Sequence, residues 1–343
     1  MSLKKLAKQV IPEDILQVLL RTKKRLTYRM NLKRAYMGDM KRYLKYAHTM
    51  AKDEKIDDLE TIEARLFIEF HSLEKGLSLP NTRAGFGKQK VKKLIGLLQR
   101  YKERGFPQNR AAYLGAVGAL REYVAFSEDK GIDVSEFREF AKDLLNDSAG
   151  AFQGGTQQIT REEMFNSMNS SFDVLSAKRH SIRDFSDVPV DEDLLMKAVS
   201  MATRSPSVCN RQTVRAYIVH ERSKVREALV IQGGARGFED APDKLLIVSS
   251  NMKYFRDVRE RNQAFFETGM FAMSLLLGLQ HLGVGACTLS WSKDTNVDKK
   301  FRTLFGLPES EVIGVLIAVG NFKDATKVPV SVRRPLDEVV KKT

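Results

Sequence analysis

Apolar residues recur at spacings of three and four through the first half of the chain, and in denser runs through the second. In "DDLETIEARLFIEFHSLEKGL" (57–77), Leu59, Ile62, Leu66, Phe70 and Leu73 share one helical face. Asp57 or Asp58 is placed to cap that helix and Gly76 to end it. The stretches 87–105 and 109–131 carry the same period, and each closes on a glycine. In the latter, Ala112, Gly115, Ala116, Gly118 and Ala119 predict a close helix–helix contact. Residues 1–147 therefore read as an all-α N-terminal domain. The Gly-, Ser-, Gln- and Thr-rich segment that follows places a linker at 148–169. Beyond it, "VRAYIVH" (214–220), "DKLLIVSS" (243–250) and "VIGVLIAVGNF" (312–322) are runs of strand character. Helical segments at 191–204, 222–231, 254–282 and 294–305 separate them. This layout predicts an α+β domain over 170–343 with a buried sheet. The apolar run 269–287 contains Gln280, His281 and several glycines, and reads as a core helix followed by a turn.

Charge adds a second feature. Of a net +14, residues 1–50 hold 13 Lys/Arg against 3 Asp/Glu, while residues 51–150 balance at 17 each. A basic segment carrying Ile15, Leu16, Leu19 and Leu20 suits an anionic membrane surface or an acidic partner. Nucleic acid is not expected, because no binding motif accompanies the charge. The two cysteines, Cys209 and Cys287, point to a reducing compartment, hence a cytoplasmic protein with a membrane-surface contact through residues 1–50. Cys209 reads as a small buried residue. No cleavage-type signal segment is expected at the N-terminus. His71 and Glu74 stand three apart on a helix, but a single such pair reads as a polar cluster, and no metal site is expected. The glycine-punctuated stretch "HSLEKGLSLPNTRAGFG" (71–87) is where a binding site in the N-terminal half would be sought first.

Four stretches carry candidate chemistry. In "RHSIR", alternation puts Arg179, Ser181 and Arg183 on one side of an extended segment, where two guanidinium groups and a hydroxyl can hold an anion. In "SPSVCNRQ" (205–212), Asn210 and Gln212 offer mixed donors and acceptors at a loop–strand junction. "HLGVGACTLSW" (281–291) passes from a helix through glycines to Thr288, Leu289 and Ser290. "VPVSVRRPLDEVV" (328–340) sets Arg333 and Arg334 before a short helix. The GxG at 283–285 follows a helix, unlike a dinucleotide fingerprint.

In this order and at these separations, "RHSIRDFSDVPV", "SPSVCNRQ", "APDKLLIV", "LLLGLQHLGVGAC" and "RRPLDEVV" resemble the nitroreductase family of flavin-dependent oxidoreductases, over about residues 170–343. The resemblance implies a nitroreductase-like sandwich with a mainly antiparallel sheet, here preceded by the all-α domain. It implies FMN, or a deazaflavin in its place, with NAD(P)H as electron donor. Hydride would pass in a ping-pong cycle through flavin N5 to or from a small electron-poor substrate. Arg179, His180 and Ser181 match the phosphate-binding stretch, and Arg183 a cation at the N1/O2 edge of the ring. Pro206, Ser207, Asn210 and Gln212 match a loop that reaches the flavin of the other subunit in a homodimer. Thr288, Leu289 and Ser290 match the segment passing N5. Arg333 matches the C-terminal phosphate contact, with Arg334 the alternative one register away. No side chain is implied as a catalytic acid or base. Departures stand at Val208, Cys209, Thr213–Val214–Arg215 and Ser331, and Arg236 is the best match to a further contact with the pyrimidine ring. The other reading of the same chain is a degenerate flavin fold that docks on a membrane or partner complex.

Overall fold

The computed structural model describes residues 12–47, 58–138 and 153–343. The basic residues 1–11, the Asp57 cap and the linker residues 148–152 lie outside the described residues. Helix α1 (Glu13–Tyr46) has Glu13 and Asp14 in its first turn and Lys45 in its last, the arrangement that complements a helix dipole. With residues 255–262 it forms one compact unit. Inside this unit, Arg261 clasps the Asp39 carboxylate through two hydrogen bonds of 2.7 and 2.9 Å.

The second unit takes in residues 57–254 and 263–343. It begins with α2 (Leu59–Leu77), α3 (Lys88–Glu103) and α4 (Ala111–Asp129), at the positions the periodicity predicts. Asp58 caps α2, accepting the Thr61 N–H at 2.9 Å. Gly76 does not end this helix. It lies within it, and a Cβ there would stand 2.1 Å from the Phe86 ring. Ile62, Leu66 and Phe70 of α2, Leu94 and Leu98 of α3, and Leu120 and Tyr123 of α4 close one core between the three helices. Fully burying an aliphatic side chain of this size contributes about 1.5–3 kcal/mol.

The small residues of α4 serve a contact that the sequence did not suggest. A Cβ on Gly118 would lie 2.6 Å from the Gly154 nitrogen, and one on Gly154 would lie 2.1 Å from the Gly115 carbonyl oxygen. This face thus meets α2 as expected, a Cβ on Gly115 lying 2.9 Å from the Phe70 ring, and also an irregular chain segment lying backbone on backbone. Buried Glu74 accepts the Gly155 N–H at 3.1 Å beside this contact, and its other oxygen lies 3.5 Å from His71. Glu122 accepts the Thr156 N–H. From Thr156 the expected linker is ordered: β1 (Thr156–Thr160) leads into α5 (Arg161–Asn166), which Thr160 and Glu163 close with a capping box.

The chain continues through α6 (Phe172–Lys178), α7 (Glu192–Ala202), β2 (Val214–Val219), α8 (Arg222–Gln232) and β3 (Lys244–Asn251). The helix expected over 254–282 is divided: Asp257 caps a 3-10 turn at Val258–Glu260, and α9 (Gln263–His281) starts afresh. The turn expected after it is a strand, β4 (Val284–Ser290), entered through Gly283 at φ +73°. Then follow α10 (Thr295–Phe305), β5 (Glu311–Asn321), β6 (Ala325–Pro329) and α11 (Leu336–Val339). The main sheet runs β2-β3-β5-β4, every pair antiparallel, and β1 pairs with β6 in a second, two-stranded sheet. Leu246 and Val248 pack on the α7/α9 side and Leu245 and Ile247 on the α8/α10 side. Burial on both faces explains why β3 reads as an unbroken apolar run. The fold is α+β with antiparallel sheets, as expected.

The glycine contact is checked by two substitutions of opposite sign. In a helix interior, Gly→Ala normally stabilises by ~1 kcal/mol, the outcome expected at Gly96, where a Cβ meets nothing within 4 Å. Gly118→Ala instead destabilises, by about 1–3 kcal/mol, because backbone on both sides cannot give way. Denaturant unfolding of the two variants measures both shifts, and stabilisation by Gly118→Ala would refute the contact.

Candidate functional site

Two of the cavities in the second unit carry a surplus of cations. The first, of about 340 Å³, is lined by Gln157, Ser176, Arg179, His180, Ser181, Ser331 and Arg333. Three elements bring these residues together. Helix α6 ends as Arg179 turns extended, β1 supplies Gln157, and the segment leaving β6 supplies Ser331 and Arg333. Ser331 holds φ +51°, and its carbonyl accepts from the Arg333 guanidinium at 3.1 Å. Among the described residues no carboxylate pairs with Arg179, His180 or Arg333. Burial, and then the charge of Arg333, lower the pKa of Arg179. Burial is also the main cause that pushes His180 down to about 4, with Arg179, Lys178 and Arg333 adding to it. His180 is therefore neutral at pH 7. Its folded pKa lies below the unfolded value of 6.5, so the unfolded chain binds the proton first. Through this group the protein loses stability as pH falls from about 6.5 towards 4.

Arg334 is absent from this lining. It donates to Glu63 at 2.7 Å and to Glu338 at 2.8 Å, and Arg110 joins the same two carboxylates. Burial pushes the Glu63 carboxyl up, but the bonds from Arg110 and Arg334 outweigh it and hold Glu63 below the usual carboxylate range. Of the two adjacent arginines, one faces the cavity and the other ties the C-terminus to α2.

Arg183 departs from the alternation read in the sequence. It is 7% exposed and lines the second cavity, not the first. Its guanidinium donates to the Ser181 carbonyl at 3.3 Å. The reason lies in the neighbouring strand. Ile182 donates to the Ala286 carbonyl at 2.9 Å, which lays this segment along the free edge of β4. Gln232 donates to the Ser290 carbonyl at 2.9 Å and accepts the Gly234 N–H at 2.6 Å. Alternate residues Ala286, Thr288 and Ser290 thus turn their backbone groups out from the sheet on the side of Arg183. The Thr288 hydroxyl is buried with no hydrogen-bond partner among the described residues. Leu289 is buried in the core beneath.

The second cavity, of about 580 Å³, joins Arg183 and Arg236 to Lys75, Arg83 and Lys90 of the helical half. The 71–87 stretch forms most of its wall. Pro206, Ser207, Asn210 and Gln212 line neither cavity. Their loop is held at α9, where Glu267 accepts the Val208 N–H at 3.0 Å, and it bends through positive φ at Cys209, Asn210 and Gln212. Cys209 is exposed rather than buried. Among the described residues no group of three or more His, Cys, Asp and Glu comes together, and no helix is long and apolar enough to cross a membrane.

Comparison with known proteins bears on the C-terminal half. Residues 177–321 match the model of the nitroreductase family. A Streptococcus pyogenes protein assigned the name NAD(P)H nitroreductase is 28% identical over 206 aligned positions, which take in 49% of this chain and 97% of the relative. A nitroreductase family protein of Streptococcus pneumoniae shares 19% identity, covering 50% of this chain and all of that one, with a TM-score of 0.45. An FMN-dependent nitroreductase of Clostridium difficile shares 19% identity over 49% of this chain and 96% of that one, with a TM-score of 0.41. Residues 177–321 are accordingly a nitroreductase-family domain, and helices α1 to α4 stand outside it.

Proposed function

We propose that the protein is an FMN-dependent oxidoreductase that draws electrons from NAD(P)H and passes them to a small electron-poor substrate. The observation that carries this reading is the first cavity: Arg179, His180 and Arg333 converge with Ser181 and no carboxylate, within or beside a nitroreductase-family domain. A phosphomonoester brings close to two negative charges and suits guanidinium forks. Its arrival would offset the mutual repulsion that, after burial, lowers both Arg179 and His180. The outward backbone of β4 suits a ring with donors and acceptors on its edge.

Bound there, FMN would supply reversible two-electron chemistry at its N5 position. The chain's own part is to bind, orient and polarise. Arg179, Ser181 and Arg333 hold the phosphate, and neutral His180 adds a hydrogen bond. Arg183 sets a fixed cation at the N1/O2 edge, where it favours the electron-rich state of the ring. Backbone of Thr288–Ser290 steadies the ring near N5. The loop carrying Pro206, Ser207, Asn210 and Gln212 completes the site of a second copy, so the working form is a homodimer. The reducing cytoplasm suits two unpaired cysteines.

A membrane-surface role for α1 rests on a separate observation. This helix exposes Val18, Leu19, Leu20 and Leu26 among Arg21, Lys24, Arg25 and Arg29. Apolar side chains flanked by cations suit an anionic lipid surface.

Three measurements check these assignments. Arg179→Ala and Arg333→Ala should each weaken FMN binding by roughly 10–100-fold, the scale of a lost charge-assisted bond. Riboflavin, which lacks the phosphate, should bind the variants and the parent alike, and an equal loss of riboflavin would make the arginines structural. Light scattering of the flavin-loaded protein should give twice the chain mass, and a flavin-loaded monomer would remove the loop from the site. Sedimentation with anionic vesicles should exceed that with neutral ones at low salt and fade as salt rises. Equal sedimentation would exclude the α1 contact.

A further inference from the structure

We infer that the second cavity is a binding site for a phosphate-bearing small molecule, with its anionic group held among Lys75, Arg83, Lys90 and Arg236 beside Arg183. Its role as the site of the substrate or donor rests on the flavin reading above, but the binding itself does not. Five cations line about 580 Å³, and no Asp or Glu lines it with them. Arg183 is more than nine-tenths buried, and its one hydrogen bond, to the Ser181 carbonyl, leaves its charge uncompensated among the described residues. Lys75 is half-buried and has no carboxylate partner among the described residues. Its burial, and then the charges of Arg183 and Lys90, depress its pKa. Such a cluster is held together against its own repulsion by the packing around it.

That packing is specific. Gly237, at φ +95°, lets the 233–238 turn approach the 71–87 stretch, since a Cβ there would lie 2.8 Å from Leu79. Gly76 gives way to the Phe86 ring, and Gly87, at φ +68°, opens α3 against Leu73. The glycine N–H groups of this turn are already engaged: Gly233 with Leu229, Gly234 with Gln232, and Gly237 with Glu239. Recognition of an anion therefore falls mainly to the side chains. A single carboxylate would leave most of the positive charge unmatched. A phosphate or diphosphate offers more charge and several oxygens, and the forks of Arg83 and Arg236 suit them bidentately. Leu79, Phe86 and Phe238 give an apolar wall for the organic part of the ligand.

The test uses the full chain saturated with FMN, with inorganic pyrophosphate as the probe in low-salt calorimetry. Pyrophosphate should bind at one site per chain. Arg83→Gln and Lys90→Gln, both at exposed positions, should each weaken it about tenfold while FMN affinity stays as in the parent. No binding to the parent, equal binding by parent and variants, or displacement of FMN by pyrophosphate would overturn the inference. A chain that takes up no flavin would sink the function proposed above. On that flavin-free chain the site would still be decided by whether Arg83→Gln and Lys90→Gln weaken pyrophosphate binding relative to the parent. Competition separates the two sources of phosphate: displacement by NADPH but not NADH assigns the site to the donor's extra phosphate, and displacement by neither assigns it to a phosphorylated acceptor.

Discussion

The backbone contact between Gly154 and the Gly115/Gly118 face of α4 sets where everything else can stand. No side chain intervenes, so the distance between the three-helix core and the chain entering β1 has no slack. Glu74 and Glu122 fix the same junction by accepting the N–H groups of Gly155 and Thr156. From there β1 pairs with β6, and the segment leaving β6 carries Arg333 to one cavity while Arg334 returns to Glu63. The helical half is thus built into the same unit as the sheet, and its stretch 71–87 forms a wall beside Arg183.

Against this rigid frame stands an electrostatic imbalance. Glu63 gathers Arg110 and Arg334 and satisfies them, whereas Arg179, Arg183, Arg333 and Lys75 have no carboxylate among the described residues. The two kinds of arginine differ in their setting, not their chemistry. A buried cation without a counterion costs the fold stability, and a bound anion is the natural compensation.

Much of this was legible in the chain. The 3.6-residue period located α2, α3 and α4 within a few residues, and the unbroken apolar runs located β2, β3 and β5, because burial leaves its mark on every position of such elements. Arg179, Ser181 and Arg333 could be singled out from their spacing and family likeness. What escaped was set by partners far away in sequence. Strand β1, polar at Gln157 and Gln158, exists because β6 pairs with it. Gly285 and Gly283 suggested a turn where β4 runs, since the close approach of the Gly320 carbonyl demands a glycine there. Period two placed Arg183 with Arg179, but the bond from Ile182 to Ala286 and the return to the Ser181 carbonyl carry it to another cavity. Lys75, Arg83 and Lys90 were not singled out by spacing, and only the fold sets them in one cavity with Arg236. The glycines of 71–87 were the available sign.

The two cavities draw on different parts of the gene. Gln157 to Arg333 supply the whole of the first, while most of the second's wall comes from Ser72 to Lys90. Changes in that short stretch can reshape one chamber without touching the other. Lineages that keep the same cradle are therefore free to diverge in the compound they admit, with Arg183 and the 233–238 turn the only parts of the second wall that the family domain contributes.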